Sequence, residues 1–314
     1  MPEWLYEDGI GETRAVFVEA GEIIEARIEL DGLARAGSRL PAKLKSARPA
    51  AIALAEGQEF LLPQGAGRTD EGATLMIEVT REAIPGPEPW KRPLARVTDQ
   101  DSGGGPERDA QVVPFPAPDD LLGGAGWNDV LEEARSGIVR FRGGELRIAA
   151  TPAMTLIDVD GYLRAEELAV VGAREAAKAI RRLDIGGSIG IDLPTAGGKA
   201  ARHAAAASID ANLSQPFERT AVNGFGFVQI VRPRLRASLI ELAQERTGFE
   251  ARALLRRAAL EPPGAKQLVA HPAIIIFLVA RADWLESLSR QAGGAIGLRA
   301  DPSLPMSGAY VKNA

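Results

Sequence analysis

Apolar and polar positions along the 314-residue chain change period several times, and each change marks an element. Residues 13–30 alternate apolar and polar on either side of an Ala-Gly-Glu turn, the pattern of a β-hairpin. Short branched runs follow at 42–45, 50–54, 59–62 and 74–79, separated by Gly and Pro, and strands at that spacing predict a small barrel. Residues 98–126, rich in Gly, Pro and Asp, read as a linker. A helix is expected over 127–136, then a hairpin of 138–142 with 145–150 turning on Gly143-Gly144.

The most informative pattern spans residues 153–192. The runs AMTLIDV (153–159) and GSIGIDL (187–193) have the length and branched composition of buried strands. Between them Leu168, Val171, Ala176, Ile180 and Leu183 recur at helical spacing, with Glu166, Glu167, Arg174, Glu175, Lys178 and Arg181 on other faces. Strand, crossover helix and strand make a parallel βαβ unit, whose strands end at one edge, where open α/β sheets place ligands. Asp158 and Asp192 therefore share that edge, and Asp160 points to the same face if the strand continues. Three converging carboxylates resist joint ionisation unless a cation neutralises them, and all-oxygen ligands suit Mg²⁺ or Mn²⁺. The alternative is that each Asp only caps a loop or the following helix.

Beyond Asp192 a helix is expected over 199–212, with Lys199, Arg202 and His203 in its first turns, where phosphate binds readily. Strands are expected at 217–221 and 225–231. Residues 237–260 read as helical, broken by Gly248 and ended by Pro262-Pro263-Gly264. The remainder alternates a helix with short strands, Trp284 and Leu288 being core candidates.

Composition narrows the classes. A hydrophobic content of 46% is that of a globular chain, and the absence of cysteine rules out disulfides and thiolate zinc sites. The acidic start MPEWLYEDGIGE has no apolar leader core, and no run approaches 18 apolar residues, so a soluble cytoplasmic protein with no membrane partner is expected. A net charge of -5 argues mildly against a nucleic-acid partner. Residues 218–257, however, hold eight arginines against four acids, a balance that suits a polyanion near the carboxylates or an ordinary solvated helix.

The segments TPAMTLIDVDG, RRLDIGGSIGIDL and FGFVQIVRPRL, in that order, resemble the catalytic core of the ribonuclease E/G family. The resemblance implies an α/β fold, with a mixed-sheet RNase H-like or DNase I-like core, an inserted S1-type OB barrel and a small C-terminal α/β domain. It divides the chain into N-terminal strands joining the core (1–30), barrel (31–97), linker (98–126), catalytic core (127–260) and C-terminal domain (265–314). The family's metal-binding aspartates fall on Asp158 and Asp192, and its intervening Asn falls on Asp160, giving three catalytic candidates and a Mg²⁺ site, with Mn²⁺ as a substitute. AAIALAEGQEFLLPQ is similar to the family's barrel stretch, with Ile52 and Phe60 where aromatics are expected; Phe60 is either a base-stacking or a barrel-core residue. Arg232 and Arg234 match the family's R-x-R-L and imply RNA-backbone contacts, joined by Lys199 and Arg202.

Several family features are missing. Gly224 replaces an Arg, Gln229 a Glu, and Thr195 stands near a further acid; no cysteine zinc link is present, so any homodimer forms without zinc. The short linker leaves no room for a 5′-monophosphate sensor. The implied activity is endonucleolytic hydrolysis of single-stranded RNA to a 5′-phosphate and a 3′-hydroxyl. The alternative is a non-catalytic RNA-binding paralogue.

Overall fold

The computed structural model describes residues 3–86, 91–101, 103, 111–117, 119–195 and 198–313. Strands β1 (Glu3–Asp8), β2 (Glu12–Glu19) and β3 (Glu22–Leu30) form an antiparallel meander. The β2–β3 turn places Ala20 and Gly21 at φ 52° and 84°, the two left-handed residues that a tight hairpin needs. Strands β4 (Arg39–Ser46), β5 (Ala51–Ala55), β6 (Gln58–Leu62), β7 (Thr74–Arg81) and β8 (Leu94–Val97) close a barrel in the order β4-β5-β6-β8-β7. Strand β9 (Gln111–Val113) runs parallel to β1, and helices α1 (Leu121–Gly124) and α2 (Trp127–Ser136) follow.

The next stretch comprises β10 (Ile138–Phe141), β11 (Gly144–Ala150), β12 (Thr155–Gly161), α3 (Ala165–Arg182), β13 (Gly187–Asp192), α4 (Lys199–Asn212), β14 (Glu218–Arg219) and β15 (Phe227–Arg232). Its strands form a mixed sheet in the order β10-β11-β12-β13-β15-β14, with β12 and β13 parallel and the other neighbours antiparallel. The chain continues through α5 (Leu239–Gln244), α6 (Arg246–Leu260), β16 (Lys266–Ala270), α7 (Pro272–Val279), α8 (Ala282–Ala292), β17 (Ile296–Ala300) and β18 (Tyr310–Asn313). Here β16 lies between β17 and β18. No helix among the described residues is long and apolar enough to cross a membrane.

Contacts divide the chain into two units that differ from the sequence-based partition. One comprises 1–31, 110–135 and 242–314, the other 32–109 and 136–241. Residues 1–30 do not join the sheet that carries the aspartates; β1, β2 and β3 form a separate sheet with β9. The stretch 98–126 is likewise more than a linker, because β9 hydrogen-bonds to β1 and α1 is capped by the Asp120 side chain, which accepts from the Gly123 amide at 2.8 Å. Residues 104–110 lie outside the described chain. The proposed core 127–260 is split, since α2 and α6 belong with the meander and the C-terminal sheet.

In the first unit α6 is buried almost all round, yet it carries Glu250, Arg252 and Arg256. Each is paired. Arg252 donates to Glu12 at 3.0 Å, Arg256 donates to both Glu7 oxygens at 2.8 and 3.0 Å, and Arg135 grips Glu250 in bidentate fashion at 2.6 and 3.0 Å. Arg14, wholly buried, donates to Glu12 and Glu7 from the same meander. Removing one member strands a desolvated charge, so such a network specifies one docking of α6 on β1 and β2. The helical break falls at Glu245 and not at Gly248, because the Glu245 carboxylate accepts from the Gly248 amide and starts α6 two residues before that glycine.

In the second unit the barrel is filled by Leu44, Phe60, Leu62, Ile77, Val79 and small alanines. Glu82, just past β7, fastens it to the segment after β15: its amide donates to the Leu235 carbonyl at 2.8 Å, and its carboxylate accepts from Arg236 and from the Ala36 amide. Helix α3 covers one face of the mixed sheet, and α4 packs on α3. The approach is close at Gly172, where a Cβ would stand 2.3 Å from Cγ1 of Val159. Val159 is the inward residue between Asp158 and Asp160, so this glycine lets the helix press on the strand that carries both.

Candidate functional site

Along β12 burial alternates: Thr155, Ile157 and Val159 are buried under α3, while Leu156, Asp158 and Asp160 are exposed on the opposite face. This is the two-residue period of a strand covered on one side only. The parallel register pairs Asp158 directly with Asp192, the last residue of β13. Neighbouring strands lie about 4.8 Å apart, so the two carboxylates leave adjacent backbone positions on the same face. The strand continues through Gly161, which brings Asp160 to that face as well.

The remaining neighbours come from register. Across the antiparallel β11 pair, Arg147 faces Asp158 and Glu145 faces Asp160. Arg147 donates to Glu145 at 2.7 Å, so its charge is shared along the row. On the other side Phe227 of β15 faces Asp192 and Gln229 faces Gly190. The Phe227 ring lies over Gly190, where a Cβ would be 2.6 Å from the ring, and Leu156 closes in from β12. An apolar strip of Leu156, Gly190 and Phe227 thus borders the carboxylates. Arg147 and Glu145 carry no motif; the glycine hairpin turn at 143–144 was the available signal, because it sets which β11 residues stand opposite β12.

The electrostatics agree with convergence. Partial burial raises the Asp158 carboxyl above its ordinary value, the like charges of Asp160 and Asp192 raise it further, and Arg147 with the Val159 amide opposes them. Among the described residues no group of three or more His, Asp or Glu is gathered into a ready metal cage. Two carboxylates in register nonetheless fit Mg²⁺ or Mn²⁺, because hard cations of this size take one or two protein carboxylates and complete their octahedron with water and phosphate oxygens.

The expected RNA contacts fare differently. Phe60 is fully buried in the barrel core, opposite Ala53, and offers no face to a base. Arg232 lies on the α3 side of the sheet, where it donates to the carbonyls of Ile185 at 3.1 Å and Ile180 at 3.5 Å near the end of α3. Arg234 is paired with Glu241, which also accepts from the Ser238 amide and hydroxyl. The RNA-contact readings of Phe60, Arg232 and Arg234 are corrected, the barrel-core alternative for Phe60 holding, while the two arginines serve helix ends. Lys199 is exposed at the start of α4, and Arg202 is half-buried one turn later. A Cβ added at Gly198 would stand 4.0 Å from Oε1 of Glu166, so the first turns of α3 and α4 adjoin at the edge where β12 and β13 end.

Most of the arginine-rich segment is also accounted for internally. Arg219 pairs with Asp210, Arg236 with Glu82 and Asp184, Arg252 with Glu12, Arg256 with Glu7 and Asp120, and Arg257 donates to the Ala309 carbonyl. Its positive balance is the complement of buried acids elsewhere in the chain, which composition alone does not reveal. Compared with known proteins, the chain matches no family model and no curated protein.

Proposed function

We propose that the chain is a metal-dependent endoribonuclease of the ribonuclease E/G type, hydrolysing single-stranded RNA to a 5′-phosphate and a 3′-hydroxyl. The observation that carries the reading is the in-register pair Asp158 and Asp192 at the open edge of two parallel strands, with Asp160 beside them on the same exposed face. Asp158 and Asp192 would hold Mg²⁺, or Mn²⁺ in its place. When bound, the ion acidifies a coordinated water and offsets charge on the phosphorane-like transition state. Asp160 would orient that water or add a ligand to the metal. Lys199, exposed at the start of α4, would offer a cation at a helix N-terminus to a phosphate.

Two further features support the family. The barrel closes in the strand order 1-2-3-5-4, with its third and fifth strands parallel, the arrangement of an OB-type barrel. The barrel, the mixed sheet and the small three-stranded C-terminal sheet also follow one another in the order the resemblance implies. The alternative, an RNA-binding paralogue without activity, draws support from Thr195, Gly224 and Gln229.

The deciding experiment is cleavage of a labelled single-stranded RNA with Mg²⁺ and with EDTA. Asp158→Asn and Asp192→Asn should each abolish cleavage while leaving the metal-free melting temperature unchanged or raised, since a repelled carboxylate is removed. Full activity in both variants would refute the site, and an inert wild-type chain that still binds RNA would favour the paralogue.

A further inference from the structure

We infer that Tyr162 and Phe225 form a pair of base-stacking platforms that seat a single-stranded polynucleotide across the carboxylate edge; this rests on the endoribonuclease reading. Among the described residues they are the two most exposed large apolar side chains, at 83% and 81%. Tyr162 stands just past the end of β12, and Phe225 lies beside the end of β13, where the Thr195 hydroxyl donates to its carbonyl. Tyr162 directly follows β12, two residues beyond Asp160, and its amide donates to the Gly143 carbonyl at 3.0 Å, so it extends the strand about 13 Å past Asp158. Phe225 sits in the turn before β15, two residues from Phe227, which faces Asp192.

The backbone under each ring is held. The Phe225 amide donates to the Asn223 side chain at 2.9 Å, its carbonyl accepts from the Thr195 hydroxyl at 3.2 Å, and the next residue, Gly226, accepts from the Leu193 amide. Fixed backbones presenting bare rings are costly in water and well suited to stacking, because little ordering remains to be done when a base arrives. The occupant follows from what lies beside the rings. Three aspartates repel an anionic protein surface, whereas a strand of nucleotides brings phosphates that Asp158 and Asp192 would hold through a divalent cation, and bases that reach the rings just past the same strand ends. Every base has a stacking face, so the contact supplies affinity and register without sequence preference.

The test is fluorescence anisotropy in Mg²⁺ with a labelled strand of about twelve deoxyadenosines and an abasic strand of the same backbone. Wild type should prefer the base-bearing strand. Tyr162→Ala and Phe225→Ala should each weaken it about 5- to 100-fold while barely changing the abasic strand, and Tyr162→Phe and Phe225→Tyr should restore binding. Melting curves of the alanine variants should match wild type, because both rings are exposed. Equal wild-type affinity for the two strands would overturn the inference, as would alanine variants that bind like wild type. Alanine variants that alter self-association alone would assign the rings to a protein contact and overturn it too. The readout is binding, so loss of cleavage with the base preference intact would count against the hydrolase reading and not against the platforms.

Discussion

Arg232 and Arg234 stand two positions apart and share one motif, yet neither faces the carboxylates. A strand residue's direction is set by parity with its neighbours: Phe227, Gln229 and Val231 point to the open face, so Arg232 points to α3. Arg232→Ala should cost about 1 to 3 kcal/mol in urea unfolding, since buried carbonyls lose a charged donor. The salt dependence of RNA binding should not change, although a phosphate contact would contribute roughly 0.7 to its slope. A flattened slope would return the arginine to the RNA surface. The aspartates were legible because their strands are short, branched and joined by a helix of the right length. The arginines were misread because a motif says nothing of parity, and Phe60 stayed open between two readings because a barrel interior and a stacking surface both call for an aromatic ring.

At the scale of elements, α2, α3, α4 and the 138–150 hairpin follow from periodicity and glycine turns, and the structure agrees with them within a few residues. Strand β8 is different. It has four residues, LARV, after a proline and with a charge in its middle, and its register with β7 is supplied by the closed barrel rather than by its own pattern. The α5–α6 break was displaced because glycine usually marks a helix end, whereas Gly248 here gives room to the Glu245 carboxylate, which would sit 2.3 Å from a Cβ. The glycine of α3 offers the sharper test. Gly172→Ala must push α3 and β12 apart at Val159, costing about 1 to 3 kcal/mol by overpacking. It should lower RNA cleavage more than RNA binding, because the displaced strand carries Asp158. Unchanged kcat at unchanged stability would show that the helix does not set the carboxylates' position.

For the molecule as a whole, the first unit draws on three separated stretches, and Asp120 of the middle one meets Arg256 of the last. Burial alone would raise the Asp120 carboxyl, but hydrogen bonds from Arg256 and the Gly123 amide bring it below its ordinary 3.8. A depressed folded value adds stability above pH 3.8 that disappears as pH falls through the lower value. Asp120→Asn keeps the helix cap and removes the charge. It should lose roughly 1 kcal/mol at neutral pH, after solvent screening, and the gap to wild type should close in acid; a gap that persists at low pH would assign the effect to the cap. The second prediction at this scale concerns RNA ends. The segment between barrel and α2 forms β9 and α1 where it is described, and residues 104–110 add only one arginine to two acids and a proline. RNAs with 5′-hydroxyl, monophosphate or triphosphate ends should therefore be cut at similar rates, and a strong monophosphate preference would locate a sensor elsewhere. The buried pairs of Glu12 with Arg252 and Glu7 with Arg256 also join residues 240 and 249 positions apart. A ribosome adds about 5 to 20 residues per second, so Glu12 emerges roughly 12 to 48 s before its partner. All of the barrel and the carboxylate sheet, ending at 241, is synthesised within that interval. Translation thus delivers the nested unit complete while the meander still holds its future buried acids in water, and a pause just after residue 241 would leave one unit finished and the other without the helix that neutralises it.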